Sequence, residues 1–308
     1  MSVLSRPYFH DEEKAFAYLE SVLWADGATC PHCGGVDRIT KVKANPSKRI
    51  RLGLWRCGDC KRQFTVKVGT VFEHARLPLH KALQAVYLMT SSKKGISAHQ
   101  LHRVLEVTYK TAWFLAHRIR EAMRSGDLAP FGAGGGAVEV DETYIGHKKG
   151  SGNPRGGNAH KMTVLGLVDR NSGKCRMFYV EKSAGSLIQP IVLENLSREA
   201  RLMTDEHTMY RRIGREFAEH GAVHHYNKEY VRGDVTTNTI EGAFSIFKRG
   251  FKGIYQHCAE KHLHRYLAEF EFRYTNREAV GMNDTDRTAC ALGGIMGRRL
   301  TYQTAGRA

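Results

Sequence analysis

Apolar residues recur at helical spacing just after Asp11-Glu12-Glu13. Ala15, Phe16, Leu19, Val22 and Leu23 share a face and predict a first amphipathic helix. Further on, Phe64-Thr-Val-Lys-Val68 alternates as a strand would. Pro78 introduces a second helical stretch carrying Leu79, Leu83, Val86, Tyr87 and Met89, and Ser91-Ser-Lys-Lys-Gly95 reads as the turn that closes it. Ser97 is placed to cap a short helix ending at Leu105. Glu106-Val107-Thr108 makes a tight connection, and the period restarts from Tyr109 to Met123 with Trp113, Leu115, Ile119 and Met123 on the apolar face. The Gly-rich stretch Phe131–Gly136 then reads as a linker and a domain boundary.

Beyond it the pattern turns strand-like. Val138-Glu-Val-Asp141 is short and β-branched, and Met162–Val168 and Lys174–Val180 flank a good hairpin turn at Asp169–Gly173. A helical run Ser186–Ala200 leads into a brief strand, Arg201–Thr204, that ends at Asp205. A helix over Met209–Glu219 and a strand over Val223–Tyr226 follow. Thr237 or Asn238 caps the helix containing Glu241, and His262–Tyr274 predicts a long last helix. Three early strands followed by alternating helices and strands define an α/β fold, a mixed sheet layered by helices. The expected organisation is 1–75 for the first helix and a small cysteine-bearing module, 76–130 for a helical pair, 131–280 for the α/β core, and 281–308 for a tail in which Asp284 and Asp286 are solvated. A basic Gly-rich loop, His147–Gly157, interrupts the sheet, and it lacks the motif of a phosphate-binding P-loop.

Composition adds a partner. The chain has 308 residues with 47 Lys+Arg against 31 Asp+Glu, a net charge of +16. Residues 1–130 carry 21 basic and 11 acidic residues and the remainder 26 and 20, so both parts are positive and the front is the denser. A polyanion, and among soluble polyanions nucleic acid, is the expected partner. The opening residues have no apolar run, so no secretory leader is expected, and no stretch approaches the roughly 20 apolar residues of a membrane span. The chain therefore reads as soluble and cytoplasmic, which argues against disulfides. Cys175, Cys258 and Cys290 are isolated and read as packed or neutral residues.

The other four cysteines form Cys30-x-x-Cys33 and Cys57-x-x-Cys60, with 23 residues between the pairs. Two such knuckles supply four soft thiolates that converge tetrahedrally, as structural Zn²⁺ requires, and leave no open position for catalysis. Gly34 and Gly58 suit tight turns that aim backbone N–H groups at sulfur, and His32 is the alternative ligand. Lys41–Arg51 between the knuckles is rich in cations and suits phosphate contact. The helical pair Ser97–Leu105 and Tyr109–Met123 fits a helix-turn-helix whose second helix exposes Tyr109, Lys110 and Arg118 or Arg120 to DNA, although a plain three-helix linker has the same pattern.

Asp141 and Asp205 sit at strand ends, where α/β folds place chemistry. Thr237-Asn-Thr-Ile-Glu241-Gly supplies a third polar group at a helix start, with 35 residues between Asp205 and Glu241. Hard oxygen ligands of this kind suit Mg²⁺ or Mn²⁺.

These stretches together carry a resemblance. Cys-Pro-His-Cys-Gly with Cys-Gly-Asp-Cys, Val-Glu-Val-Asp-Glu-Thr-Tyr-Ile-Gly, Thr-Asp-Glu-His-Thr-Met-Tyr and Asn-Thr-Ile-Glu-Gly-Ala-Phe-Ser-Ile-Phe-Lys-Arg-Gly occur in that order. So does His-Leu-His-Arg-Tyr-Leu-Ala-Glu-Phe-Glu-Phe-Arg-Tyr-Thr-Asn-Arg, and the resemblance spans roughly residues 10–278. The chain resembles insertion-sequence transposases of the DDE class, in the ISXO-like group with an N-terminal zinc ribbon. That resemblance implies an RNase H-like catalytic core, catalytic Mg²⁺ or Mn²⁺, and cleavage and strand transfer of DNA at an element's terminal inverted repeats by a homo-oligomer. It implies Asp141 and Asp205 as the first two metal-binding carboxylates and Lys248 as a DNA contact near the scissile end. The third ligand is Glu241 or Asn238; Glu241 has the charge and the usual spacing, and the two share a helix face. Glu142 and Glu206 are weaker candidates because neighbouring strand residues face opposite sides. A bacterial or archaeal, nucleoid-associated protein is implied. The rival readings are a sequence-specific DNA-binding regulator with a non-cutting core and a structure-selective nuclease.

Overall fold

The computed structural model describes residues 2–148, 150 and 157–301. Most of the basic loop expected at 147–157 therefore lies outside the described residues. The chain divides into two compact units. One comprises the residues up to Arg124 together with those from Asn283 onward, and the other comprises Ser125–Met282.

In the first unit, α1 (Glu12–Leu23) is capped by Asp11, whose side chain accepts the Lys14 N–H at 2.8 Å, and the helix buries Ala15, Phe16 and Leu19. A small antiparallel sheet follows, of β1 (Ile39–Lys41), β2 (Trp55–Cys57) and β3 (Gln63–Phe64), with Ile39 opposite Cys57 and Trp55 opposite Phe64. The strand expected over 64–68 stops at Phe64. Val68 N–H bonds back to Thr65 O at 2.9 Å and Gly69 takes φ +74°, so the alternating residues form a turn. The helices α2 (Leu79–Ser91), α3 (Ala98–Leu105) and α4 (Tyr109–Ala122) begin as their sequence signals predict, with Ser97 and Thr108 capping the last two. Pro78 offers α2 no cap. The Glu12 carboxylate supplies it from α1, accepting Leu79 N–H at 2.7 Å and His80 N–H at 3.0 Å. The C-terminal segment, which the sequence left as a tail, forms a helix over Asp284–Gly293. It is fastened to α2 by a Thr90–Thr288 hydroxyl bond at 2.8 Å, and Asp284 is engaged with Arg287.

The second unit is built on β4 (Ala137–Ile145), β5 (Met162–Asp169), β6 (Cys175–Val180), α5 (Gly185–Asn195), β7 (Arg201–Asp205), α6 (Thr208–Gly214) and β8 (Glu219–Val223). A two-residue hairpin, β9 (Val231–Arg232) with β10 (Val235–Thr236), precedes α7 (Asn238–Gly250) and α8 (Glu260–Thr275). The five-stranded sheet has the order β6-β5-β4-β7-β8; β6, β5 and β4 are antiparallel, while β4, β7 and β8 run parallel. Strand parity sorts its two faces. Val138, Val140, Leu165, Leu167 and Leu202 pack with Ile188, Val192 and Tyr210 of α5 and α6. Val164 and Val168 pack with Ile240, Phe244, Leu263 and Leu267 of α7 and α8.

Two sequence readings are corrected here. Phe131–Gly136 is no linker, because Phe131 is buried and its backbone bonds Asn195 O and Ser197 N, both at 2.8 Å. Gly132, at φ +74°, lies so close to Ala200 that a Cβ would stand 2.4 Å from its methyl carbon. The strand expected over 223–226 instead occupies Glu219–Val223, since α6 ends early at Gly214 and His225–Asn227 turns as a short 3₁₀ segment.

Candidate functional site

The four cysteines of the two knuckles converge. Cys30 and Cys60 sulfurs lie 3.7 Å apart, as do those of Cys33 and Cys57, and one ligand atom from each lies within 4.8 Å of all the others. The left-handed position after each second cysteine is held by Gly34 (φ +75°) and Lys61 (φ +62°). The amides aimed at sulfur are those of Gly35 at Cys33 and of Cys60 and Asp59 at Cys57, whereas Gly34 and Gly58 donate to carbonyls. The Cys60 and Asp59 N–H groups draw the Cys57 thiol down to about 7, while the neighbouring sulfurs of Cys30, Cys57 and Cys60 hold the Cys33 thiol up. Trp24 stands edge-on to Trp55 and Phe64 beneath the cluster, and Glu20 accepts Trp55 Nε1–H at 2.8 Å and Lys41 Nζ at 2.7 Å. Four soft sulfurs, with no fifth donor grouped with them among the described residues, fit a structural Zn²⁺. His32 instead stands edge-on to Phe64.

Asp141 and Asp205 are brought to one face of one sheet. Parallel pairing ends with Glu139 beside Met203; Asp141 and Asp205 follow two residues further along their strands, and strand parity puts both on that same face. Glu241, in the first turn of α7, approaches from the helix layer on that face. Burial first, then the charges of Glu142 and Asp205 and, more weakly, Glu241, push the Asp141 carboxyl up to about 7. The donors in this region are hard carboxylate oxygens, the kind that fits Mg²⁺ or Mn²⁺. Among the described residues only the four cysteines bring their ligand atoms so close together, and the three carboxylates stand more openly. The Asp205 side chain accepts His207 N–H at 3.0 Å, which fixes the loop leaving β7. The Thr237 hydroxyl donates to Glu241 Oε1 at 2.8 Å, and His225 Nε2 lies 3.5 Å from the same oxygen.

Asn238 is the first helical residue of α7 and is exposed; the capping position belongs to Thr237. Lys248, seven residues after Glu241 on the same helix, is half-buried, which lowers its pKa, while Asp141 and Glu241 act in the opposite sense. Glu142 faces the other side of the sheet, as strand parity predicts, and accepts bonds from the Tyr210 and Ser183 hydroxyls. Glu206 is occupied by the His225 and Tyr226 amides at 2.8 and 3.1 Å. Sequence reasoning passed over His225, for which no local signal exists. It also passed over Glu139, whose place two residues before Asp141 on the same strand face was a usable signal.

On the helical pair, Tyr109 is 43% exposed and stacked on His99 at 4.3 Å, and Lys110 beside it is exposed. The expectation that Arg118 or Arg120 faces outward is corrected. They are 9% and 2% exposed, because the second half of α4 is enclosed on all sides from Leu115 to Arg120. Arg118 donates to Glu73 O at 3.0 Å and lies over the Phe114 ring.

Residues 134–275 match the ISXO2-like transposase domain, and residues 10–63 match a transposase zinc-ribbon domain. An uncharacterized protein in transposable element ISH50 of Halobacterium salinarum is 30% identical over 285 residues, covering 86% of this chain and 91% of the relative. The chain belongs to the ISXO2-like transposase family and carries that family's zinc ribbon. Among solved structures, the cryo-EM structure of a simian T-cell lymphotropic virus intasome with PP2A regulatory subunit B56 gamma contains a chain 14% identical, with a TM-score of 0.30. That match covers 62% of this chain and 65% of the other, under two thirds of its length, and is too slight to carry an argument. No helix among the described residues is long and apolar enough to cross a membrane.

Proposed function

We propose that the chain is an active DNA transposase whose second unit is an RNase H-like polynucleotidyl transferase. What supports the reading is that Asp141 and Asp205 lie on the sheet face that α7 covers, and that burial, Glu142, Asp205 and, more weakly, Glu241 of α7 push the Asp141 carboxyl up to about 7. Asp141 and Asp205 would hold divalent Mg²⁺ or Mn²⁺ together with Glu241, which has the charge that Asn238 lacks. When bound, such ions activate an attacking oxygen and stabilise a leaving one. The reaction is in-line substitution at phosphorus. Water frees a 3′-OH at each element end, and that hydroxyl then attacks a target phosphodiester and releases a target 3′-OH. Lys248, beside Asp141 and Glu241, would neutralise a phosphate next to the scissile bond.

The first unit would recognise the terminal inverted repeats. Tyr109 and Lys110, at the exposed start of α4, would belong to the recognition helix of a helix-turn-helix, and the cationic stretch Lys41–Arg51 of the zinc ribbon would contact phosphates. Two ends must be held together, so a homo-oligomer on DNA in a prokaryotic cytoplasm, at the nucleoid, completes the reading. The test is cleavage of labelled DNA carrying the gene's own flanks with Mg²⁺ or Mn²⁺, comparing wild type with Asp205→Ala, Glu241→Ala and Asn238→Ala. Nicking at the flanks that Asp205→Ala and Glu241→Ala abolish and Asn238→Ala retains is expected. Tight flank binding without any cleavage would favour the non-cutting regulator.

A further inference from the structure

We propose that Glu139 is a positioning residue of the carboxylate centre: from inside β4 it grips the first turn of α7 and so fixes Glu241 against Asp141. The inference rests on the reading of that centre given above. Glu139 is 0% exposed, and a buried acid is tolerated only where its oxygens are fully hydrogen-bonded. They are: Oε1 accepts Arg170 Nε at 2.6 Å and the Thr239 hydroxyl at 2.8 Å, and Oε2 accepts the Ile240 N–H at 2.8 Å. With these partners and no exposure, Glu139 is not available as an ion ligand itself.

The Ile240 N–H is one of the amides that a helix start leaves without an internal partner. Thr237, at the capping position, makes no side-chain cap; its hydroxyl goes to Glu241 instead. A cap from Thr237 would have stabilised α7 without saying where the helix sits. Taken from β4, the cap ties helix to strand one residue before Glu241 and two residues before Asp141, on the face both share. Arg170 extends the grip to the chain entering α7, donating through Nη1 to Asp234 O at 2.7 Å and through Nη2 to Thr236 O at 2.8 Å. Pre-set geometry of this kind matters because displacing a reacting group by about 1 Å can cost roughly a hundredfold in rate.

The experiment compares wild type, Glu139→Gln, Glu241→Gln and Asp141→Asn by amide hydrogen exchange, Mn²⁺ binding read by electron paramagnetic resonance, and thermal unfolding. Glu139→Gln keeps the size and loses the charge-assisted bonds. It is expected to speed exchange in 238–244 about tenfold, to leave 162–168 of β5 unchanged, and to weaken Mn²⁺ binding about tenfold, toward Glu241→Gln. Wild-type exchange and Mn²⁺ affinity in Glu139→Gln would overturn the proposal. So would faster exchange spread evenly over β5 and α7, the mark of a purely structural role. If Glu139→Gln does not fold, Thr239→Val removes one donor and leaves the acid; it should move exchange and Mn²⁺ affinity the same way by a few-fold, and no movement overturns the proposal. Wild-type protein with no Mn²⁺ site sensitive to Asp141→Asn would overturn the reading of the centre, and with it the purpose given to Glu139, while exchange in 238–244 would still decide whether the grip exists.

Discussion

Gly166 of β5 is paired directly opposite Asp141 of β4, and the space its missing side chain leaves is filled by Phe244 of α7. A Cβ built at Gly166 would stand 2.7 Å from Phe244 Cζ and 2.7 Å from Ile240 Cδ1. Directly paired antiparallel residues share a face, so the close seat of α7 lies over the strand pair that carries Asp141. Gly166→Ala must push the helix outward or force its side chains off their rotamers. The cost expected of such overpacking is about 1–3 kcal/mol, and urea unfolding together with hydrogen exchange in α7 measures it. A variant as stable as wild type would mean that α7 is not seated so tightly.

Asp141 sets a second expectation. Burial, then Glu142 and Asp205, raise its carboxyl from the ordinary 3.8 to about 7. From about pH 4 to 7 the folded protein keeps a proton that the unfolded chain has released, so ion-free stability falls as pH rises through that window and levels off above it. At about 1.4 kcal/mol per pH unit the full loss approaches ~4 kcal/mol. Asp141→Asn should flatten the slope, and Mg²⁺ or Mn²⁺ added at pH 8 should stabilise wild type but not the variant. Urea midpoints from pH 4 to 8, in protein dialysed free of added divalent ions, decide it; parallel curves for the two proteins would exclude Asp141 as the titrating group.

The parts of this molecule that could be read from sequence are those in which a local rule acts alone. Ser97 caps its helix because its hydroxyl satisfies a nearby amide, and Asp205 ends its strand where the apolar Leu202-Met203 gives way to polar residues. Reading failed where a distant partner decided the outcome. Phe131–Gly136 has linker composition, yet Phe131 is drawn into a bridge with Leu196. The helices that begin at Leu79 and Asn238 receive their caps from Glu12 and Glu139, acids 67 and 101 residues in the chain from the Leu79 and Ile240 amides they accept. The carboxylates Asp141, Asp205 and Glu241 were legible as residues, but their meeting depends on the β4–β7 register and the seat of α7, neither of which any short window contains.

The cysteine cluster predicts a local response to metal removal. Structural zinc supplies about 10–16 kcal/mol of apparent folding free energy in small modules, far more than a core of Trp24, Trp55, Phe64 and a few neighbours can replace. One Zn²⁺ per chain is expected. Its removal by a strong chelator, or its prevention by Cys57→Ser, should expose Trp24 and Trp55 and shift tryptophan emission to the red. Hydrogen exchange in β4 and β5 should stay unchanged, because those strands belong to the other compact unit. Emission that does not move on complete zinc loss would mean that the aromatic cluster holds the ribbon without metal.

Two cations of α4 should separate a DNA contact from a structural arginine. Lys110 is exposed beside Tyr109, whereas Arg118 is enclosed and spends a guanidinium N–H on the Glu73 carbonyl. A cation that neutralises one phosphate contributes close to one unit to the slope of log affinity against log salt. Lys110→Ala should therefore weaken binding to the element ends, lower that slope by about one unit and leave the melting temperature near wild type. Arg118→Ala should do the reverse, because it removes packing on Phe114 and leaves the half-buried Glu73 carbonyl without that donor; a loss of about 1–3 kcal/mol with an unchanged salt slope is expected. Fluorescence anisotropy of labelled DNA ends at several salt concentrations, run beside thermal melts, gives both quantities. A salt slope that drops for Arg118→Ala and holds for Lys110→Ala would mean that α4 turns its second half toward DNA, against the burial found here.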